Sequence, residues 1–235
     1  MVKLMQPPPA WGIPNISPAC MKLETWLRMA GIPYEVAAFD LAASPKGKVP
    51  YIEDEGTLIG DSTLIIEHLT TKYGRDVDEG LSSAERAVSL AFRRLLKENS
   101  YWVITQTRYA DEANWSIYRE MIMQLLVPNH PREIQEQAAD GFRSLILGQF
   151  KGHGLGRHSR DEVYRIGIAD LKAVADYLGD KPFFMGEKPT LADATVYGYV
   201  ANLIAVPMES PVKQYGLSRP NLNEHLKRMQ NRFFP

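Results

Sequence analysis

Asn15-Ile16-Ser17-Pro18-Ala19-Cys20-Met21-Lys22 is the stretch whose reading decides the fold. Serine is a favoured helix N-cap, and proline suits the first helical position because an N–H there would have no partner anyway. A helix therefore starts at Pro18. Leu23, Trp26, Leu27 and Ala30 recur at three- and four-residue spacing and predict its buried stripe, with Lys22, Glu24 and Arg28 free to face away and Gly31 as the stop. The N-terminus of such a helix presents unpaired N–H groups and a partial positive charge beside the Ser17 hydroxyl. That corner suits an anion, a thiolate among them.

Working outward, Val2-Lys3-Leu4-Met5 before the helix has the pattern of a short strand, which Pro7-Pro8-Pro9 ends. After it, Pro33 to Phe39 has the aromatic and β-branched content of a second strand, parallel to the first if the helix is a crossover. Ser44 to Lys48 is turn material. Val49–Glu53 and Thr57–Ile59, around Asp54-Glu55-Gly56, predict an antiparallel hairpin. Asp61 and Ser62 then open a helix with Ile65, Ile66, Leu69 and Tyr73 as its apolar stripe, ending before Gly74. The order β-α-β, then β-β-α, describes an α/β thioredoxin-like domain over residues 1–75.

Gly74, Gly80 and several charges mark 76–82 as a linker, and no strand pattern of comparable quality follows. Helices near 83–110, 115–127, 131–150, 160–178, 190–204 and 221–231 predict an all-α helical C-terminal domain over 83–235. Ser82 with Glu85, and Thr190 with Asp193, form capping boxes at two helix starts, so Thr190 and Asp193 are assigned to folding. Arg93, Arg94 and Lys97 are assigned to a solvated basic face. Gly152 to Ser159 follows a helix and lacks the Gly-Lys-Ser/Thr ending of a phosphate loop, which makes it a helix–helix connection.

A chain of 235 residues with 45% apolar and 23% charged residues and a net charge of −1 has no bulk field to attract nucleic acid or an anionic membrane. The single cysteine, Cys20, excludes an intrachain disulfide and fits a reducing compartment, with the cytoplasm as the expected location. The early prolines interrupt any signal-peptide core, and no segment approaches the roughly 20 apolar residues of a membrane span. His153 and His158, five apart without a matched carboxylate, make no metal pair, and no metal is expected.

Three features in order resemble the glutathione-binding domain of the glutathione S-transferase superfamily: Ser17-Pro18-Ala19-Cys20 after the first strand, Val49-Pro50 before the third, and Asp61-Ser62 after the hairpin. Gly152 to Ser159, Gly179 to Gly186 and the closing Arg232-Phe233-Phe234-Pro235 extend the resemblance over nearly the whole chain, toward the failed-axon-connections and metaxin-like subgroup. The resemblance implies glutathione as co-substrate and a small, apolar electrophile as its acceptor, with a homodimer as the family's usual assembly. It implies a cis Val49-Pro50 bond that exposes Val49 to the cysteinyl unit, Ser62 on the γ-glutamyl carboxylate, Asp61 toward the ammonium and Lys48 toward the glycyl carboxylate. Ser17 would then stabilise the thiolate. A free thiol has a pKa of about 8.5, and lowering it by about two units takes roughly 2.7 kcal/mol, within reach of one charge-assisted hydrogen bond plus a helix end.

Two other functions stay open on the sequence: a non-catalytic adaptor, and glutathione-dependent thiol–disulfide exchange at Cys20, which lies three residues past the exposed position of a Cys-Pro-x-Cys-like motif. Trp102, Tyr109, Trp115 and Tyr118, with Arg108 as an anion contact, would either wall a co-substrate pocket or belong to the core. Trp11 is assigned to packing, and Asn15 is a further candidate to line the site.

Overall fold

The computed structural model describes residues 1–235. Strands β1 (Val2–Met5), β2 (Tyr34–Ala37), β3 (Tyr51–Asp54) and β4 (Thr57–Gly60) form one sheet in the order β2-β1-β3-β4. Helix α1 (Pro18–Ala30) is the crossover that makes β1 and β2 parallel, with Leu4 opposite Val36. β3 runs antiparallel to β1 with Ile52 opposite Leu4, and β4 antiparallel to β3 with Ile59 opposite Ile52. The β3–β4 loop is Glu55-Gly56, both at positive φ, as the twist of a two-residue hairpin requires. Helix α2 (Ser62–Tyr73) follows, capped by Asp61 and closed by Gly74 in the left-handed region. Ile65, Ile66 and Leu69 are buried. Tyr73, expected in the same stripe, is exposed at the helix end and packs its ring against Lys72.

From residue 83 onward the chain is helical: α3 (Ser83–Arg94), α4 (Tyr101–Thr105), α5 (Glu112–Leu126), α6 (Arg132–His153), α7 (Arg160–Leu178), α8 (Leu191–Ile204), α9 (Pro211–Leu217) and α10 (Pro220–Phe233). The helix expected over 83–110 runs through α3 and α4 with π-helical turns at Leu95–Ser100 and Gln106–Ala110. Gly152 to Ser159 connects α6 to α7 through a short 3-10 turn. α9 was not expected from the sequence, although Ser210-Pro211 repeats the Ser17-Pro18 start signal. Its seven residues are too few to show a period. No helix is long and apolar enough to cross a membrane.

One expectation for α1 fails. Lys22 and Glu24 do not face solvent: they are only 4% and 6% exposed, and of the three residues expected to face outward Arg28 alone does so. The cause is α8, which lies across α1 so closely that a Cβ on Gly198 would stand 2.7 Å from the Pro18 carbonyl oxygen. Glu24 is buried with partners, accepting from Gln6 Nε2 at 2.6 Å and the Tyr34 hydroxyl at 2.8 Å. α8 is buried along its whole length, and its Asp193 carboxylate accepts from the Thr190 amide at 2.8 Å, as the capping box predicts, and from the Phe184 amide at 2.6 Å.

A candidate glutathione cleft between the sheet and the helices

α1 begins where the loop after β1 turns into the helix, and that turn is braced from behind. Asn15 is fully buried and does not line the cleft. Its Nδ2 donates to the Pro7 carbonyl at 2.6 Å, and its Oδ1 accepts from the Ser17 amide at 2.9 Å. Arg108 donates to the Ile16 carbonyl at 2.6 Å and to Asn202 Oδ1 at 2.6 Å, while Asn202 Nδ2 donates to the Asn15 carbonyl at 3.1 Å. Ser17 is thereby held half-buried at the tip of α1, its oxygen accepting from the Cys20 amide at 3.4 Å. Its O–H hydrogen is not consumed by that bond.

Across from Ser17, the Val49–Pro50 bond is cis. Lys48 is exposed, with its backbone pinned by Ser44, whose hydroxyl donates to the Lys48 carbonyl at 2.6 Å. Asp61 sits at φ +76°, an unusual conformation for a non-glycine residue. It is held there because its Oδ1 accepts from the Thr63 amide at 2.7 Å and its Oδ2 lies 3.0 Å from Lys97 Nζ. Burial pushes the Asp61 carboxyl up, but the Lys97 ammonium and the Thr63 amide outweigh it and hold it below the usual range. Ser62, at the first turn of α2, is 2% exposed.

Ser17, Lys48, Val49, Pro50, Asp61 and Ser62 all line one cleft of about 340 Å³. Its other wall is helical: Lys97, Tyr101, Trp102, Thr105, Arg108, Tyr109 and Tyr118, with Tyr199 from α8. Burial raises the Tyr101, Tyr109 and Tyr199 phenols, so they stand neutral as hydrogen-bond donors in a largely apolar wall. Trp115 lies behind Tyr109, ring centroids 5.8 Å apart, and belongs to the core. Trp11 packs on Tyr118 at 5.9 Å. A larger hollow of about 640 Å³, between Met29, Val77, Glu187 and Arg232, gathers none of these groups.

Residues 18–114 match the glutathione S-transferase N-terminal domain family, and residues 167–229 the glutathione S-transferase C-terminal domain family. The isoprene-epoxide–glutathione S-transferase of Rhodococcus sp. is 39% identical over 96% of this chain and 96% of its own length. The chain belongs to the glutathione S-transferase family. Failed axon connections of Drosophila melanogaster is 33% identical over 95% of this chain, which covers 56% of that protein. Among solved structures, a glutathione transferase family member from Pseudomonas fluorescens, with two glutathione bound, superposes with a TM-score of 0.61 at 16% identity, over 98% of this chain and 88% of its own.

One feature of this glutathione S-transferase fold departs from the sequence reading, and the recessed place of Cys20 agrees with it. Lys97 is not part of a solvated face; it reaches into the cleft, while Arg94 stays outside with Glu98 at 3.3 Å. The spacing of Lys97, Tyr101, Thr105 and Arg108, four, four and three residues, was the signal that could have placed it on one helix face with the aromatic wall. Cys20 is fully buried, and its thiol is pushed up by burial, which the Ser17 hydroxyl opposes and Glu24 reinforces. A thiol so placed is a poor nucleophile.

Proposed function

We propose that the cleft binds glutathione and that Ser17 holds its sulfur as the thiolate for attack on a small electrophile admitted along the aromatic wall. One observation carries the reading: the six residues that the family resemblance directs toward glutathione, from three separate segments, line a single cleft. The chemistry of the donors fits the tripeptide. The Ser62 hydroxyl, at the positive end of α2, makes no hydrogen bond within the chain and suits a carboxylate, and the Ser17 hydroxyl can donate to a sulfur anion beside the start of α1. The name of the Rhodococcus relative makes an oxirane the first electrophile class to test. With an oxirane, a C–S bond forms, one ring C–O bond breaks, and the oxygen that takes the electron pair is protonated from water. The full burial of Cys20 counts against disulfide exchange at that residue.

The test is calorimetry with glutathione, followed by thiolate absorbance against pH. The wild type is expected to bind in the micromolar-to-millimolar range, Ser62→Ala to weaken binding about tenfold, and the bound thiol to titrate below about 8.5, returning toward that value in Ser17→Ala. Cys20→Ala should keep oxirane conjugation. Absence of binding would overturn the reading and leave the adaptor, with partner capture as the next experiment.

A further inference from the structure

We propose that Lys97 binds the α-carboxylate of the γ-glutamyl head, so that this corner recognises glutathione by the anionic end of that head rather than by its ammonium. The proposal rests on the glutathione reading above and deepens it. Asp61, the residue that the family resemblance directs toward the ammonium, already has a cation: Lys97 Nζ stands 3.0 Å from Oδ2, and Oδ1 is taken by the Thr63 amide. A neutralised carboxylate has little attraction left for a second ammonium. A second basic group stands under the corner. Lys22 lies buried beneath it with Nζ 3.3 Å from Thr63 Oγ1. Burial, then Lys97, Arg93 and Arg94, draw the Lys22 pKa down to about 7 against the opposing pull of Asp61. Glu98, 4.0 Å from Lys97, is exposed and engaged more closely by Arg94 at 3.3 Å. Ser62 contributes the second, independent sign of an anion: a residue only 2% exposed, in the cleft wall, whose hydroxyl has no partner in the chain. Lys97, about a quarter exposed, has N–H donors left over while it stays on Asp61, and these can turn to a carboxylate that spans Ser62 and the start of α2.

The experiment compares three ligands by calorimetry: glutathione, its analogue with 4-aminobutyrate in place of the γ-glutamyl unit, which lacks the α-carboxylate, and its glutaryl analogue, which lacks the ammonium. Each is titrated into wild type, Lys97→Met and Lys97→Arg, with thermal unfolding to check that the variants fold. For the wild type, the glutaryl analogue should bind within a few-fold of glutathione and the 4-aminobutyryl analogue at least about tenfold weaker, the effect of losing one charge-assisted hydrogen bond. Lys97→Met should weaken glutathione and the glutaryl analogue about tenfold and leave the 4-aminobutyryl analogue unchanged, and Lys97→Arg should restore most of the loss. Equal weakening of all three ligands would make Lys97 a structural tie only. Unchanged or tighter glutathione binding in Lys97→Met would make it a competitor for Asp61. Either result overturns the proposal while leaving glutathione binding intact, whereas a wild type that binds none of the three removes the glutathione reading itself.

Discussion

Lys22 shows what one misplaced expectation costs at the residue scale. On an isolated amphipathic helix it belongs outside, yet α8 covers it and leaves its ammonium a single side-chain hydroxyl, Thr63 Oγ1, as partner. Its folded pKa of about 7 lies well below the roughly 10.4 of an unfolded lysine. Between those values the unfolded chain binds a proton that the folded chain does not, so stability rises with pH across that window. Below pH 7 the lysine is charged in both states and the full burial penalty applies. Lys22→Met should therefore raise the unfolding midpoint most at pH 6 and progressively less toward pH 10. A gain that does not vary with pH would show that the ammonium is not confined as described. Ser17, Asp61 and Ser62 stand at the opposite pole: each was legible because a cap or a helix start has a local sequence signature.

At the scale of elements, the contact between α1 and α8 decides where Ser17 sits. Gly198 permits it, since a Cβ there would meet the Pro18 carbonyl oxygen at 2.7 Å and the Lys22 amide at 3.0 Å, backbone atoms that cannot turn aside. Gly198→Ala is expected to cost about 1–3 kcal/mol, lowering the midpoint by several degrees, and to weaken glutathione binding because the displaced helix carries Ser17. Gly148→Ala on α6, where a Cβ meets open space, should instead stabilise by about 0.5–1 kcal/mol. Equal midpoints for the two variants would refute the close packing. The π-helical turns on either side of α4 act at the same scale: Lys97, Glu98, Arg108 and Tyr109 all come from them and all line the cleft. A π-helical turn shifts the apolar stripe once and has no cap or breaker residue of its own, so the turns were not visible in the sequence.

Across the whole molecule, the sheet and the helices are joined by polar ties as well as by apolar packing. Leu191 and Ala194 of α8 belong to the core beneath the sheet, and Ile13, Ile16 and Met21 to a core otherwise drawn from residues 109–229. Asp78, in the segment expected to be a linker, is buried and accepts from the Leu191 amide at 2.8 Å. Arg108 carries its charge into this junction with carbonyl oxygens and Asn202 as its partners. Asn202→Leu would strip the Oδ1 acceptor from a buried cation while leaving the backbone carbonyl, with an expected loss of about 1.5–3 kcal/mol, read by urea unfolding. Tryptophan fluorescence and far-ultraviolet circular dichroism should still report one coincident transition, because the cores straddle both halves; separate transitions would contradict that. The sequence by itself determined the succession of strands and helices in the thioredoxin-like unit and the helix starts at Ser17 and Asp61, because periodicity, caps and turn chemistry act within a few residues. Only the tertiary structure decided that Lys22 is buried, that Lys97 faces Asp61 and that Arg108 anchors the loop before Ser17. Those outcomes depend on α8 and on the helix from α3 through α4 approaching from far along the chain, and contacts between residues 36 or more positions apart leave no local pattern to read.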